Sequence, residues 1–429
     1  MKEDFLHFLW QFQLFNKQLS TTTSGKSFSV LKTGTKNKNA GPDFSSASIE
    51  LENITWAGNI EIHLKSSDWN VHYHQNNAAY ENVILHVVWR HDKEIYLNDG
   101  TPIPTFELEG KTDLNLLKTY KELINNNSNI PCSPYFKDVS RIIKLQALDV
   151  ALMQRLEQKS EFILEILERK LNNWEETAYQ VLAKNFGFKI NSDSFLRLSE
   201  VLPLKILQKH SDNLQQIESL LFGQAGLLSY NEDEYTLSLK KEFNYLSHKY
   251  DLEKKQMNAI EWKMLRLRPA NFPTFRLAQY ASFIYSNPNI FSALLDWENY
   301  SDLKSKFKIK ISNYWRNHYS FNSTSTEPTP QFGKSSFENI VINTIVPLLV
   351  AYSKVKDSDF YIAKAVTLLE NISAEKNNII SIWEELGLPI KTAFDSQASI
   401  ELFNNFCQLK KCLSCKIGVS IVSKNTVPI

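Results

Sequence analysis

Gly41-Pro42-Asp43-Phe44 and Gly58-Asn59-Ile60-Glu61-Ile62-His63-Leu64-Lys65 are the two stretches on which the reading of this chain turns. The second alternates apolar and polar side chains, as a strand half-buried on one face does. Asp43 precedes Glu61 and stands just ahead of a shorter alternating run over residues 47–51. Two carboxylates brought side by side on neighbouring strands suit a hard divalent cation, because Mg²⁺ takes oxygen ligands and keeps water in its other positions. Asp43 and Glu61 are therefore the expected ligands of Mg²⁺ or Mn²⁺. His63 lies two residues after Glu61 and shares its face of the strand. His63 or Lys65 is expected to assist an attacking water or the charge that develops on a phosphate.

Around this pair the N-terminal part reads as α/β. Residues 5–15 form an apolar, aromatic-rich helix with acids in its first turn, where the helix dipole favours them. Residues 27–31 suggest a first strand, and residues 34–42 carry turn formers throughout. Residues 66–82 are long enough for a crossover, and residues 83–89 form a β-branched run suited to a central strand covered on both faces. Residues 94–97 and 104–108 are shorter strand candidates. From about residue 138 the period becomes helical. Ile142, Leu145, Leu148, Leu152 and Leu156 mark one face of a long helix, and Asn173 and Gly187 bracket another. Residues 322–336, rich in Ser, Thr and Pro, read as an exposed linker. The expected organisation is an α/β domain over residues 1–130 and a mainly helical domain over residues 131–429 that ends in a cysteine cluster.

Composition narrows the function classes. The 429 residues are 43% apolar and 22% charged, ordinary for a soluble globular protein of two or three domains. A net charge of +1 argues against a uniformly basic surface and leaves room for a local basic groove. The N-terminus has early acids and lacks a signal-peptide pattern. The apolar run over residues 340–351 contains Pro347 and is too short for a membrane span. A cytoplasmic location is expected. Gly25-Lys26-Ser27 and Gly333-Lys334-Ser335 lack the upstream glycine of a nucleotide-cradling loop, since Ser20 and Pro328 stand there. The sequence leaves the oligomeric state open.

Three further sets carry chemistry. Six of the nine histidines, His7, His63, His72, His74, His86 and His91, lie at or before position 91. His72 and His74, with Asp68 and His86, are candidates for a transition-metal or Zn²⁺ site, or for lining the carboxylate pocket. Tyr80 is a candidate to present its hydroxyl to a phosphate. Cys407, Cys412 and Cys415 are closely spaced, and Cys132 supplies the fourth ligand that Zn²⁺ or an iron–sulfur cluster needs. Such a site would clip the C-terminus onto the first domain. Arg266, Arg268 and Arg276 interleave with Phe272 and Phe275, a pattern that suits phosphate and base contacts as well as an ordinary helical corner.

Several of these phrases, together with Ser67-Asp68-Trp69, Leu85-His86-Val87-Val88, Trp174-Glu175-Glu176-Thr177-Ala178, Arg266-Leu267-Arg268-Pro269 and Cys412-Leu413-Ser414-Cys415, resemble a bacterial family called domain of unknown function 2851. The order helix, strand, carboxylate, hairpin, second carboxylate, crossover, buried strand also resembles the PD-(D/E)XK, restriction-endonuclease-like nuclease core, as far as about residue 110. That resemblance implies a mixed sheet, with Asp43 and Glu61 as the metal-binding carboxylates. His63 takes the place of the usual lysine, and Glu3 matches an extra acid on the first helix. The function so implied is metal-dependent hydrolysis of phosphodiester bonds in DNA or RNA. The alternatives are a nucleic-acid-binding or scaffold protein without catalysis, and a metal-dependent hydrolase of another substrate.

Overall fold

The computed structural model describes residues 1–37, 39–228 and 233–424; Lys38, within the expected turn-rich loop, lies outside them, as do residues 229–232 and 425–429. Contacts divide the chain into two compact units. Unit 1 comprises residues 1–150, 382–388 and 399–429, and unit 2 comprises residues 151–381 and 389–398.

Unit 1 opens with helix α1 (Glu3–Gln11), whose first turn holds Glu3 and Asp4. Phe5, Leu6, Phe8, Leu9 and Trp10 are buried. Glu3 and His7 stand at i and i+4 and so occupy one face of the helix. A mixed sheet follows, built from β1 (Phe28–Lys32), β2 (Thr35–Lys36), β3 (Phe44–Leu51), β4 (Ile54–Lys65), β5 (Val83–Arg90) and β6 (Thr105–Glu107). Its spatial order is β1-β3-β4-β5-β6, with β2 beside the start of β3. The β1, β3 and β4 pairings are antiparallel, whereas β4 with β5 and β5 with β6 are parallel.

Local chemistry explains this order. Glu52 and Asn53 join β3 to β4, both with positive φ (50° and 66°), as a two-residue turn of type I′ requires. Gly58 sits where β4 meets the entry to β5; a Cβ there would come within 2.6 Å of the Asn82 carbonyl. Val83 through Val88 are all buried, as a strand flanked by parallel partners requires. Between β4 and β5 the crossover folds as a short helix α2 (Asp68–Val71) and two 3-10 turns. Trp69, Tyr80, Val83, Ile95 and Ile103 form a small apolar cluster under it. The strand expected over residues 94–97 reduces to one bridge between Tyr96 and Pro102, so this segment serves the cluster and not the sheet. Helix α3 (Leu114–Asn125) and the C-terminal helix Lys416–Ser423 also belong to unit 1.

Unit 2 is mainly helical. The helix Trp174–Phe186 starts on Asn173, whose side chain accepts the Glu176 N–H at 3.1 Å, and gives way at Gly187. A Cβ on Gly187 would lie 2.3 Å from the Asn191 carbonyl oxygen, so close backbone approach explains this glycine. The apolar run around Pro347 is longer than its sequence core suggests. The continuous helix Lys334–Lys356 has 23 residues, enough by length and composition to cross a membrane, yet 67% of its most apolar window is buried inside the protein. It includes a π-turn over Val341–Ile345, just ahead of Pro347. The segment expected as a linker contains Ser323–Thr324, which pairs with His318–Ser320 just before it in a small hairpin, and the start of this helix.

Unit 2 also buries a carboxyl group. Glu218 is 1% exposed; its Oε2 accepts the Tyr235 hydroxyl at 2.8 Å, and its Oε1 has no partner. Burial pushes its pKa from 4.5 to about 7. From pH 4.5 to 7 the unfolded chain loses this proton while the folded chain keeps it, so stability falls as pH rises through that window. The loss amounts to about 3 kcal/mol. Glu218→Gln is expected to remove this dependence and to unfold at higher urea than the wild type at pH 8 but not at pH 4.5.

Candidate metal centre

Phe44 pairs with Ile60, so Asp43, one residue earlier, comes beside Glu61. The two residues lock reciprocally. The Asp43 N–H donates to Glu61 Oε2 at 3.1 Å, and the Ile62 N–H donates to Asp43 Oδ2 at 3.0 Å. From α1, His7 brings Nε2 to 3.2 Å from Asp43 Oδ1. Glu3 faces the same place: burial first, then the nearby Asp43 charge, raises its pKa. Glu61 is also raised, mainly by burial, with Asp43 adding repulsion and His74 opposing it.

Glu61 Oε1 is the other pole of the site. His74 Nε2 lies 3.2 Å from it and His63 Nε2 lies 3.5 Å from it. His63 Nε2 is in turn 3.1 Å from His72 Nδ1, and His63 Nδ1 is 2.8 Å from His86 Nε2. Ligand atoms of His63, His72 and His74 all fall within 4.8 Å of one another. His74 Nε2 is buried and, although close to Glu61, makes no aligned hydrogen bond. Burial and the neighbouring imidazoles lower the His63 pKa to about 3, so His63 is neutral and brings no positive charge where a lysine would. His86 is fully buried and held well below the usual histidine range. The Tyr80 ring stacks on His74 at 3.9 Å, and burial followed by the Glu61 and Asp43 charges pushes its hydroxyl up to about 12.

The remaining candidates divide. Lys65 is exposed at the end of β4, near Asp92, and its N–H donates to Asp68 Oδ2 at 2.9 Å. Asp68 thus serves the turn after β4, and His86 stands behind His63 as a partner. In unit 2, Arg266 and Arg268 are exposed, whereas Arg276 is 7% exposed. Its guanidinium donates to Gln279 Oε1 (2.8 Å), Asn271 Oδ1 (2.7 Å) and Ser336 Oγ (3.2 Å) and covers the Phe188 ring. The guanidinium is thus engaged by partners within unit 2. Arg276→Ala is expected to lower stability by about 2–4 kcal/mol in urea unfolding while leaving nucleic-acid affinity by fluorescence anisotropy unchanged. His7 is the site residue that motif reasoning missed; its one signal was its helical spacing from Glu3.

All four cysteines belong to unit 1 and are unpaired thiols. Cys132 and Cys412 are buried, Cys407 and Cys415 half-buried. Each lies within electrostatic reach of the other three. Burial, then these neighbours, pushes Cys132 up to about 12 and Cys412 up to about 11 and raises Cys407; burial raises Cys415, and the Ile417 and Gly418 N–H groups oppose it by donating to its sulfur. Gly418 permits this tight turn, because a Cβ there would sit 2.1 Å from the Cys412 carbonyl oxygen.

Residues 3–378 match the family described as "Protein of unknown function (DUF2851)", and the chain belongs to that family. No curated protein and no solved structure matches it.

Proposed function

We propose that unit 1 is a PD-(D/E)XK-type, restriction-endonuclease-like domain that hydrolyses phosphodiester bonds of DNA or RNA with a divalent metal. The observation that carries this reading is the meeting of Asp43 and Glu61 across β3 and β4, within the order helix, three antiparallel strands, crossover and parallel strand. The donor set fits a hard cation: the carboxylates of Asp43 and Glu61, brought together across β3 and β4. Asp43 and Glu61 would hold the ion, which supplies Lewis acidity and a lowered pKa for bound water. In the reaction, water oxygen bonds to phosphorus, the ester P–O bond breaks, and the leaving oxygen takes up a proton. His7 stands beside Asp43 as the imidazole placed to take the water proton. A cavity of about 670 Å³ in unit 1, lined by Lys2, Lys36, Lys410, Lys411 and Lys416 together with Asp4 among others, would offer an anionic backbone a basic groove. The test is cleavage of single- and double-stranded DNA and RNA with Mg²⁺ or Mn²⁺. Absence of cleavage across the panel, with nucleic acid still bound, would favour the binding-protein alternative.

We further propose that Cys132, Cys407, Cys412 and Cys415 hold a structural zinc ion or iron–sulfur cluster. The support is that these four thiols, from distant segments, lie within electrostatic reach of one another and that Cys415 already receives two backbone N–H groups; no three of the sulfur atoms lie within 4.8 Å of one another, so a metal would have to draw them closer.

A further inference from the structure

We infer that His63, His72 and His74, with Glu61 Oε1 at their edge, form a site for a first-row transition ion of the zinc type, separate from the Mg²⁺ or Mn²⁺ position at Asp43. This deepens the nuclease reading and rests on it only for the role of the ion, not for its binding. The ligand geometry carries the inference. A tetrahedral ion with nitrogen and oxygen ligands at about 2.0–2.1 Å sets neighbouring ligand atoms roughly 3.4 Å apart. The distances here are 3.1 Å for His63 Nε2 to His72 Nδ1, 3.2 Å for His74 Nε2 to Glu61 Oε1, and 3.5 Å for His63 Nε2 to Glu61 Oε1. Among the described residues, this histidine trio is the group of three or more potential ligands gathered within 4.8 Å.

The chemistry of the set agrees with its geometry. Mg²⁺ takes oxygen and avoids imidazole, whereas zinc, cobalt, nickel and copper accept it readily. The outer partners are also in position. Metal-bound histidines need their second nitrogen oriented by another group, and His63 Nδ1 meets His86 Nε2 at 2.8 Å. The Tyr80 ring lies flat against His74, and the Trp69 ring meets His74 edge-on, so that imidazole is held on two sides. The backbone itself is bent to bring the trio together. Tyr73, between His72 and His74, has φ 58°, a left-handed conformation that a tyrosine rarely adopts. It turns the chain between two ring systems that would otherwise diverge.

The test is zinc content and zinc affinity of the full chain, measured by metal analysis and competition with a chromophoric chelator. Wild type is compared with His72→Ala, His74→Ala and Asp43→Ala. His72 is exposed, so its truncation spares the core; circular dichroism checks the fold of each variant. The expected result is one zinc equivalent lost, or affinity weakened by about 100-fold or more, in both histidine variants and retained in Asp43→Ala. Any zinc held by the cysteines stays constant across all four proteins. Equal zinc in all four, or loss confined to Asp43→Ala, would overturn the site. Zinc bound through the histidines in a protein that cleaves no nucleic acid would keep the site and reject the nuclease reading.

Discussion

Asp43→Ala and Glu61→Ala should each lower nucleic-acid cleavage by on the order of 10³-fold, with the protein still folded. Lewis-acid stabilisation by a bound ion is worth several kcal/mol, and each step of about 1.4 kcal/mol is a factor of ten in rate. The two variants fail for related but distinguishable reasons. Asp43→Ala removes one proposed ligand and also the acceptor of the N–H of Ile62, a buried residue within β4. Glu61→Ala removes the group that touches Asp43, His63 and His74 at once. Its loss should therefore lower both Mg²⁺ or Mn²⁺ binding and zinc binding, whereas Asp43→Ala lowers the first alone. Glu61 is 5% exposed and raised in pKa by burial, so removing it takes away a charge that the fold holds at a cost. Glu61→Ala should lose activity without losing stability. A variant that lost both together would point to a structural carboxylate. Equal cleavage by wild type and both variants, purified identically, would end the two-carboxylate reading.

The carboxylate pair was legible because a strand imposes simple rules. Alternation places Glu61 and His63 on one face. The two-residue turn alone would set Asp43 opposite Ile62; the irregularity between Phe44 and Ala47, where Ser46 has φ 55°, moves Asp43 beside Glu61, and nothing in the sequence marks it. The buried run at Val83 announced a strand covered on both faces, and it lies parallel to β4. The rest of the site obeys rules of another kind. His7 comes from a helix whose other residues advertise only an apolar face, and its approach to Asp43 depends on how α1 packs on the sheet. His72 and His74 belong to neither strand nor a continuous helix. Their convergence depends on one left-handed residue, Tyr73, which carries no glycine or asparagine to mark it. His86 read as a core histidine, and it is buried; its pairing with His63 follows from the parallel register that sets His86 beside Glu61. Interleaved arginine and phenylalanine suit a buried guanidinium covering a ring as well as a phosphate contact, and Arg276 has the first of these surroundings.

The cysteine set bears most on stability. On the proposed cysteine site, Cys412→Ser should release the metal and lower the melting temperature of unit 1 by roughly 10 °C. Structural metal sites supply apparent binding energies on the order of 10 kcal/mol in small domains, and the loss of one ligand in four removes a sizeable part of this. In a unit of this size, about 1 kcal/mol shifts the midpoint by about 2–4 °C. The site would join parts of unit 1 that are distant in sequence and that also pack through buried apolar side chains such as Phe406, Ile417 and Val422. Cys132 follows α3, while Cys407 through Cys415 arrive from the far end of the sequence. The polar contacts alongside are peripheral: Lys410 donates to the Ile124 carbonyl at 2.7 Å and Lys424 to the Asp138 carbonyl at 3.1 Å, both on exposed surface. Without a metal, four thiols with raised pKa values are small, neutral, weakly bonded groups. Metal binding then releases protons, because the ligand is the thiolate. Chelator treatment of the wild type should reproduce the Cys412→Ser melting temperature. Visible absorption with equal iron and sulfide would identify a cluster, and zinc alone a single ion. A melting temperature that neither the chelator nor the substitution moves would leave the cysteines as ordinary buried side chains, and the C-terminal segment would then be held by its apolar contacts through Ile417, Ile421 and Val422.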